Sequence, residues 1–392
     1  MSVAIKEIQK DLLAAGLDGW LFYDFRGRDP IALRLLKLPE GMRTRRWFYF
    51  IPAKGAPRKL LHKIETAALE SLPGAALYYA GYGELQGNLK RLLGGAKRVA
   101  MQYSPKNEIP YVAMVDAGTV ELVRGAGAKV VSSADLVQKY EACWTPGQLA
   151  SHRAAGAAID RIVAGAFKLA GDRVREKKAV SEFDLKEFIL REFAAAGVVT
   201  DEGPDVAVGA NASDPHYGPT AEKSAAIGEG DFLLLDVWGK MKKPGSVYYD
   251  ITWVGYLGAT VPEKYAKVFR VVREARDKAV VLIRSRVAAG KVLQGWEVDK
   301  AARDVIEKAG YGKYFFHRTG HNIGEAIHGN GANMDGLETH DVRRLIPRTC
   351  TSVEPGIYLK DFGIRSEVDV YIGEREAYVT GAVQTEVLAL LA

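Results

Sequence analysis

The sequence predicts two domains in series: an α/β domain over residues 1–145 and an α+β domain over residues 146–392. Three observations lead there. The chain has 392 residues, 48% hydrophobic and 26% charged, more than one domain usually holds and enough for two separate cores. In the first third, short apolar runs alternate with amphipathic stretches. Beyond residue 147 the texture changes to helix, helix, then paired strands, and this order occurs twice.

Taken in order, Ile5 to Ala15 has helical spacing of its apolar residues, and Leu17-Asp18-Gly19 closes it. Trp20 to Phe25 and Trp47 to Ile51 are apolar and aromatic runs bounded by glycine, proline or charge, which suits buried strands. Leu85 to Leu93 reads as a helix, Val99 to Tyr103 as a strand, and Tyr111 to Val115 as a further apolar segment. A seam follows at residues 139–148, where Thr145-Pro146-Gly147 sets an N-cap before a proline in the first helical turn. Helices are expected over Gly147 to Val174 and Ser181 to Ala195. Asp231 to Asp236 and Tyr248 to Leu257 read as strands, with Pro244-Gly245 turning between them. Helices at Glu263 to Ala289 and Glu297 to Ala309 come next, then a strand-rich section from Thr349 to Val379. The repeated order suggests a duplication, although the halves do not align residue by residue.

Composition excludes several classes. Apolar and aromatic residues are too plentiful for a disordered chain. No run of about 18 apolar residues is present to span a membrane. Met1-Ser2-Val3-Ala4-Ile5-Lys6-Glu7 lacks the basic-then-apolar pattern of a signal peptide. Cys143 and Cys350 are too few for a disulfide framework or a thiolate metal site, so a cytoplasmic compartment is expected. The net charge of +6 is unevenly placed. Residues 1–145 carry 21 basic and 14 acidic side chains, whereas the remainder is nearly neutral. Arg43, Arg45 and Arg46 form the one tight basic cluster, which reads as a solvated face or an interface before it reads as a nucleic-acid site.

The residues able to carry chemistry lie in the second domain. Three of the seven histidines fall together as His317-x3-His321-x6-His328, in a stretch framed by Gly320 and Gly324. Such glycines weaken a helix and suit backbone lying close to a ligand. Asp236, Asp250, Glu354 and Glu367 each sit in a run that would otherwise be a buried strand. An uncompensated buried carboxylate costs several kcal/mol, so each needs a partner. Asp236 and Asp250 are 14 apart, and Glu354 and Glu367 are 13 apart. Each interval suits two neighbouring strands joined by a loop. Four carboxylates and an imidazole suit two divalent cations, which activate water for hydrolysis. Cys350 reads as a buried thiol rather than a nucleophile.

These residues resemble the pita-bread metallopeptidases, a group holding aminopeptidase P, prolidase, methionine aminopeptidase and the metal-free creatinase. The matching stretches are Asp236 with Asp250-Ile251-Thr252, Thr319-Gly320-His321-x-Ile323-Gly324, Val353-Glu354-Pro355-Gly356, and Ile364-Arg365-x-Glu367. The resemblance covers roughly residues 147–392, and the preceding domain looks like the creatinase-type, ribonuclease-H-like N-terminal domain. It implies two divalent metal ions, Mn2+ first, with Co2+, Zn2+ or Fe2+ as alternatives. Asp236 would hold the first metal, Asp250 and Glu367 would bridge, and His321 and Glu354 would bind the second. Glu354 would also move protons to and from a metal-bridging hydroxide. His317 and His328 match the outer histidines that position substrate and stabilise the tetrahedral intermediate. His216 matches the histidine upstream of the first aspartate, and Arg365 the arginine that supports the site.

The extra N-terminal domain and the histidine spacing favour the proline-specific branch. The implied reaction is hydrolysis of Xaa-Pro bonds, by an Xaa-Pro aminopeptidase or dipeptidase. The implied substrate is a short peptide with proline second, with no nucleic acid or membrane partner; relatives of this kind are often homodimers. The chain also departs from the pattern. The Asp236–Asp250 interval is longer than the resemblance leads one to expect, and Trp238 and Trp253 are unusual there. Asn322 replaces the customary glycine, and residues 329–336 lack the usual acidic-then-proline pattern. The alternatives are another metal-dependent reaction on this fold, such as a small-molecule lyase, or a catalytically silent binding module.

Overall fold

The computed structural model describes residues 4–39, 41 and 43–392, in two units, Met1–Glu141 and Ala142–Ala392, each with its own hydrophobic cores. Met1, Ser2 and Val3, on which the reading of the N-terminus partly rests, lie outside the described residues.

In the first unit, β1 (Gly19–Asp24) and β2 (Trp47–Pro52) are buried along their whole length, because both faces of their sheet are covered. Trp20, Phe22, Tyr49 and Ile51 face α1 (Ile5–Ala14), α2 (Pro30–Leu35) and α5 (Ala134–Val137). Leu21, Tyr23, Phe48 and Phe50 face α3 (Tyr82–Leu93) and α4 (Ala117–Gly125). The strand period of two makes this division automatic. With β3 (Arg58–His62), β4 (Ala75–Tyr79), β5 (Arg98–Met101) and β6 (Lys129–Ser132), the sheet order is β4-β3-β2-β1-β5-β6. The first three strands form an antiparallel meander, and the other pairs are parallel.

The second unit begins with α6 (Pro146–Arg175). Thr145 Oγ1 accepts from the Gln148 N–H at 3.2 Å, and the Gln148 side chain accepts from the Thr145 N–H at 2.9 Å. This capping box and Pro146 fix the start of the helix. After α7 (Glu182–Ala196), β9 (Phe232–Met241) and β10 (Tyr249–Tyr256) form the long antiparallel pair at the centre of the unit. β7 (Val198–Val199) and β8 (Asp205–Val208) pair with β9, and β17 (Leu388–Ala389) with β10. The helices α8 (Glu263–Ala288) and α9 (Gly295–Lys308) lead to a second sheet, β11-β12-β15-β16. It is built from β11 (Asn322–Ile323), β12 (Thr349–Val353), β15 (Val368–Ile372) and β16 (Ala377–Val379). A hairpin of β13 (Gly356–Leu359) and β14 (Phe362–Arg365) is inserted between β12 and β15.

The pleat of β9 sorts its side chains. Leu233, Leu235 and Val237 pack with α6 and α7, while Phe232 and Leu234 pack with α8 and α9. Asp236 and Trp238 continue the second row, so the first acid stands where an apolar core residue would. On β10, Asp250, Thr252 and Val254 share that face, since Thr252 lies opposite Asp236 and Asp250 opposite Trp238.

Glu354 and Glu367 differ from expectation in one respect. They lie just outside strands, after β12 and before β15, whose pairing ends at Val353 opposite Val368. The β13–β14 hairpin occupies the interval between them. Their separation therefore reflects two strand ends and a hairpin, not two strands and a simple loop.

Candidate metal centre

The five expected ligands come from four separate stretches of chain. Asp250, His321 and Glu367 are buried and offer ligand atoms that all lie within 4.8 Å of one another. His321 Nε2 is 3.3 Å from Glu354 Oε1 and 3.5 Å from Asp250 Oδ2. Asp236 joins through Thr252, whose Oγ1 lies 3.1 Å from Asp236 Oδ1 and 2.8 Å from Glu367 Oε2. The backbone adds precision. The Glu367 N–H donates to Thr252 O at 3.2 Å, and the Glu354 N–H to Thr319 O at 2.8 Å. Ser352 Oγ accepts from the His321 N–H at 2.9 Å and donates to Glu354 Oε1 at 3.0 Å.

The donor set suits a cation. The carbonyl of Asn322 can only accept, so His321 Nδ1 at 3.3 Å carries the proton and Nε2 turns a lone pair toward the carboxylates. Burial lowers the His321 pKa, which keeps the ring neutral and able to ligate. Asp250 Oδ1 and Glu367 Oε1 are buried with no hydrogen-bond donor among the described residues. Oxygens and a ring nitrogen from three residues thus converge with no donor group between them among the described residues, an arrangement favoured when a positive ion sits there. Burial raises the pKa of Asp250 and of Glu367 well above the ordinary carboxylate range, and the neighbouring acids add to it.

Among the described residues, Arg365 is the buried cation that ion-pairs with these acids. It ion-pairs with Asp236 and donates to Thr252 Oγ1 and to the Tyr358 hydroxyl, both at 3.0 Å. Its Nε is 3.9 Å from Glu354 Oε2. Tyr358 in turn lies 2.8 Å from His317 Nε2. His317 Nδ1 is 2.7 Å from Arg318 O, so this nitrogen donates and Nε2 accepts from Tyr358. Both ring nitrogens are therefore engaged within the protein, and burial pushes the His317 pKa down to about 3. The His328 ring stands edge-on to His321, with centroids 4.4 Å apart, and is exposed. His216 is exposed; its ring makes no hydrogen bond among the described residues, and its backbone N–H donates to Asp214 Oδ1 at 3.0 Å.

Several participants carried no signal in the sequence. Asp369 Oδ2 accepts from the Asp250 N–H at 2.9 Å and lies 3.8 Å from the buried His152. Glu182 is fully buried and accepts from the Val208 and Ala225 N–H groups, the Asn211 amide and the Tyr217 hydroxyl, which fixes the segment bearing His216. Asp205 lies opposite Asp236 on β8, and burial together with Asp236 raises its pKa to about 7. Glu182 and Asp205 were not conspicuous because each is the first residue of its element, α7 and β8, where an acid is ordinary. Gly320 also has a different role from the one expected. A Cβ there would come within 2.1 Å of Ser352 O, so the glycine permits backbone to approach β12 rather than a ligand.

The departures around His321 have a structural reason. Asn322 donates to Cys350 O at 2.9 Å and accepts from the Gly331 N–H at 2.8 Å. A Cβ at Gly329 or Gly331 would come within 2.3 or 2.5 Å of the Asn322 side chain. The asparagine and the two glycines together pin the segment after His328.

Comparison with known proteins decides the family, since metallopeptidase family M24 matches residues 150–374, more than half of the chain. The chain belongs to metallopeptidase family M24. Within that family, this M24 chain is 28% identical over 334 residues to "Probable dipeptidase PepE" of Mycobacterium tuberculosis, covering 83% of this chain and 80% of that protein. It is 30% identical over 238 residues to "Xaa-Pro dipeptidase" of Lactobacillus helveticus, covering 59% of this chain and 58% of that one. The crystal structure of dipeptidase PepE from Mycobacterium ulcerans superposes with a TM-score of 0.71 at 23% identity, covering 98% and 96% of the two chains. The fold is thus the pita-bread fold preceded by an α/β domain, and this M24 protein is a metallopeptidase.

Proposed function

We propose that the protein hydrolyses Xaa-Pro bonds of short peptides, as an Xaa-Pro dipeptidase or aminopeptidase, with two divalent cations held by Asp236, Asp250, His321, Glu354 and Glu367. The observation that carries this reading is the convergence of His321 Nε2 with the donor-free, buried oxygens of Asp250 and Glu367. The name borne by the Lactobacillus helveticus relative supports the Xaa-Pro substrate class, and that of the mycobacterial relative supports action on dipeptides. The catalytic domain is assigned to residues 146–392 and the accessory domain to residues 1–145. Mn2+ is the first choice, because carboxylate and imidazole donors without thiolate suit it.

When bound, such cations acidify water and polarise a carbonyl oxygen. The protein supplies the rest. Glu354 lies beside His321 and is held by Ser352, so its carboxylate is placed to take a proton from the nucleophile and deliver it to the leaving amine. Arg365 holds Asp236 against Thr252 and anchors Tyr358. His317 steadies Tyr358 from the other side, while the exposed His328 and His216 are free to meet a peptide.

The test begins with metal-depleted protein and Xaa-Pro dipeptides and longer Xaa-Pro peptides, with Mn2+, Co2+, Zn2+ or Fe2+ restored separately. Cleavage with close to two metals per chain is expected. Glu354→Gln should lower kcat by about 10²–10⁴ with an unchanged circular dichroism spectrum. Intact Xaa-Pro peptides at full metal occupancy would overturn the substrate assignment. Wild-type kcat in Glu354→Gln would remove the proton-transfer role.

A further inference from the structure

The α/β unit contains a cavity of about 560 Å³ that the peptidase reading leaves unused. It lies where the parallel-running strands β1, β3 and β4 end and β2 begins, a common position for ligand sites in α/β sheets. Arg28, Arg45, Arg46 and His62 line it together with Tyr82 and Asp116. The fold brings two members of the basic cluster here, Arg45 and Arg46, whereas Arg43 donates to Pro39 O and Ala68 O instead. Its volume is that of a small-molecule site rather than of an extended track for a polymer.

Two physical features define what would fit. The first is charge. Three guanidiniums and one carboxylate leave a balance of +2 with the histidine neutral. Among the described residues of this unit, none of the three arginines forms an ion pair; those present join Arg34 with Glu141, Lys63 with Glu84 and Lys139 with Asp11. Asp116 is already committed, accepting from the Thr119 N–H and hydroxyl at 2.8 Å each. Glu65 lies beside Arg45 and accepts from its N–H at 3.1 Å, which leaves Arg28 and Arg46 as the less compensated cations. Cations brought together repel one another, and guanidinium forks match the oxygens of phosphate and carboxylate groups.

The second feature is the aromatic wall. The Arg28 guanidinium sits 5.6 Å from the Phe25 ring centroid, and that of Arg46 5.8 Å from Tyr82. The Tyr79 hydroxyl donates to Arg46 O at 2.7 Å and anchors the backbone that presents that arginine. Flat rings beside fixed positive charge favour a ligand that has a planar body as well as an anionic head.

We propose that this cavity binds a small organic dianion built on a flat ring, of the phosphate-monoester or dicarboxylate kind. The site is separate in sequence from every residue assigned to peptide hydrolysis, so the inference stands or falls apart from that assignment. AMP and phthalate both present two negative charges beside a ring, and they separate the phosphate source from the carboxylate source. Adenosine is the uncharged control. Isothermal titration of the full-length, metal-loaded protein should show binding of AMP, phthalate or both. The affinity should exceed that for adenosine at least tenfold and weaken as salt rises. Arg28→Gln and Arg46→Gln should each reduce the affinity at least tenfold, while Xaa-Pro cleavage without added anion stays unchanged. Arg28 is exposed, so its replacement tests the site even if Arg46→Gln fails to fold. No binding of either anion at millimolar concentration, adenosine binding equal to AMP, or full affinity in Arg28→Gln would each overturn the proposal.

Discussion

Thr252 has one hydroxyl proton and two carboxylate oxygens within reach, Asp236 Oδ1 at 3.1 Å and Glu367 Oε2 at 2.8 Å, while Arg365 donates to it from behind at 3.0 Å. It therefore sets the separation of two acids that would share a cation pair. Replacing it with valine keeps the shape, since both side chains are branched at Cβ, but removes the polar link. Groups in this position typically affect metal affinity by 10–100-fold when lost, roughly the loss expected for Thr252→Val. Titration of metal-depleted protein with Mn2+ measures it directly, and wild-type affinity in the variant would show that the acids are positioned without Thr252. Legibility in the sequence followed the same division. An acid inside Leu233-Leu234-Leu235-Asp236 is anomalous and can be found by reading. A threonine, serine or tyrosine in a strand is ordinary, so the parts played by Thr252, Ser352 and Tyr358 became visible only with the pairing register.

Asp29 offers a comparable case among the elements, because it caps α2 from a buried position. Its Oδ1 accepts from the Ala32 N–H at 2.8 Å, and its Oδ2 is buried without a donor among the described residues. Burial, opposed in part by the Ala32 hydrogen bond, raises its pKa to about 7. A carboxyl whose folded pKa exceeds its unfolded value of 3.8 binds more protons in the folded chain. Its contribution therefore falls as pH rises from about 4 to 7, and the folded state bears the full cost above that. Asp29→Asn keeps a capping oxygen and removes the titration. The difference in melting temperature between variant and wild type should shift in the variant's favour between pH 5 and pH 8. A pH-independent difference would show that Asp29 does not titrate in this window. The elements missed in the sequence share a cause too. β3, β4 and β6 are four or five residues long, and two of them form the edges of the sheet. β3 and β6 hold apolar pairs only, Leu60-Leu61 and Val130-Val131, and lack the continuous apolar run that marked β1 and β2, while Ala75–Tyr79 is apolar but short and half-exposed.

Across the whole molecule, the two units, Met1–Glu141 and Ala142–Ala392, have separate apolar clusters, because each sheet has to cover its own faces. The pairing of β9 with β10, which brings Asp236, Thr252 and Asp250 onto one face, was legible as two strands turning at Pro244-Gly245, whereas the approach of His321, Glu354 and Glu367 to that face depends on contacts far apart in sequence and could not be read beforehand. Among the described residues, Asp236, Asp250, Glu354 and Glu367 gather around one guanidinium, so without cations the catalytic unit folds at the cost of repulsion between these acids or of the protons they must take up. A cation that binds only the folded site adds about 2.7 kcal/mol when present at 100 times its Kd. For a unit of residues 142–392 this corresponds to a melting shift of roughly 5–10 °C. Chelation should lower the melting temperature of that unit by this amount, and added Mn2+ should restore it. Asp250→Asn supplies the control: it removes a buried charge whose Oδ1 has no donor among the described residues. The metal-free variant should then melt no lower than metal-free wild type, and Mn2+ should no longer raise its melting temperature. An undiminished Mn2+ shift in Asp250→Asn would mean that the stabilising cation binds elsewhere.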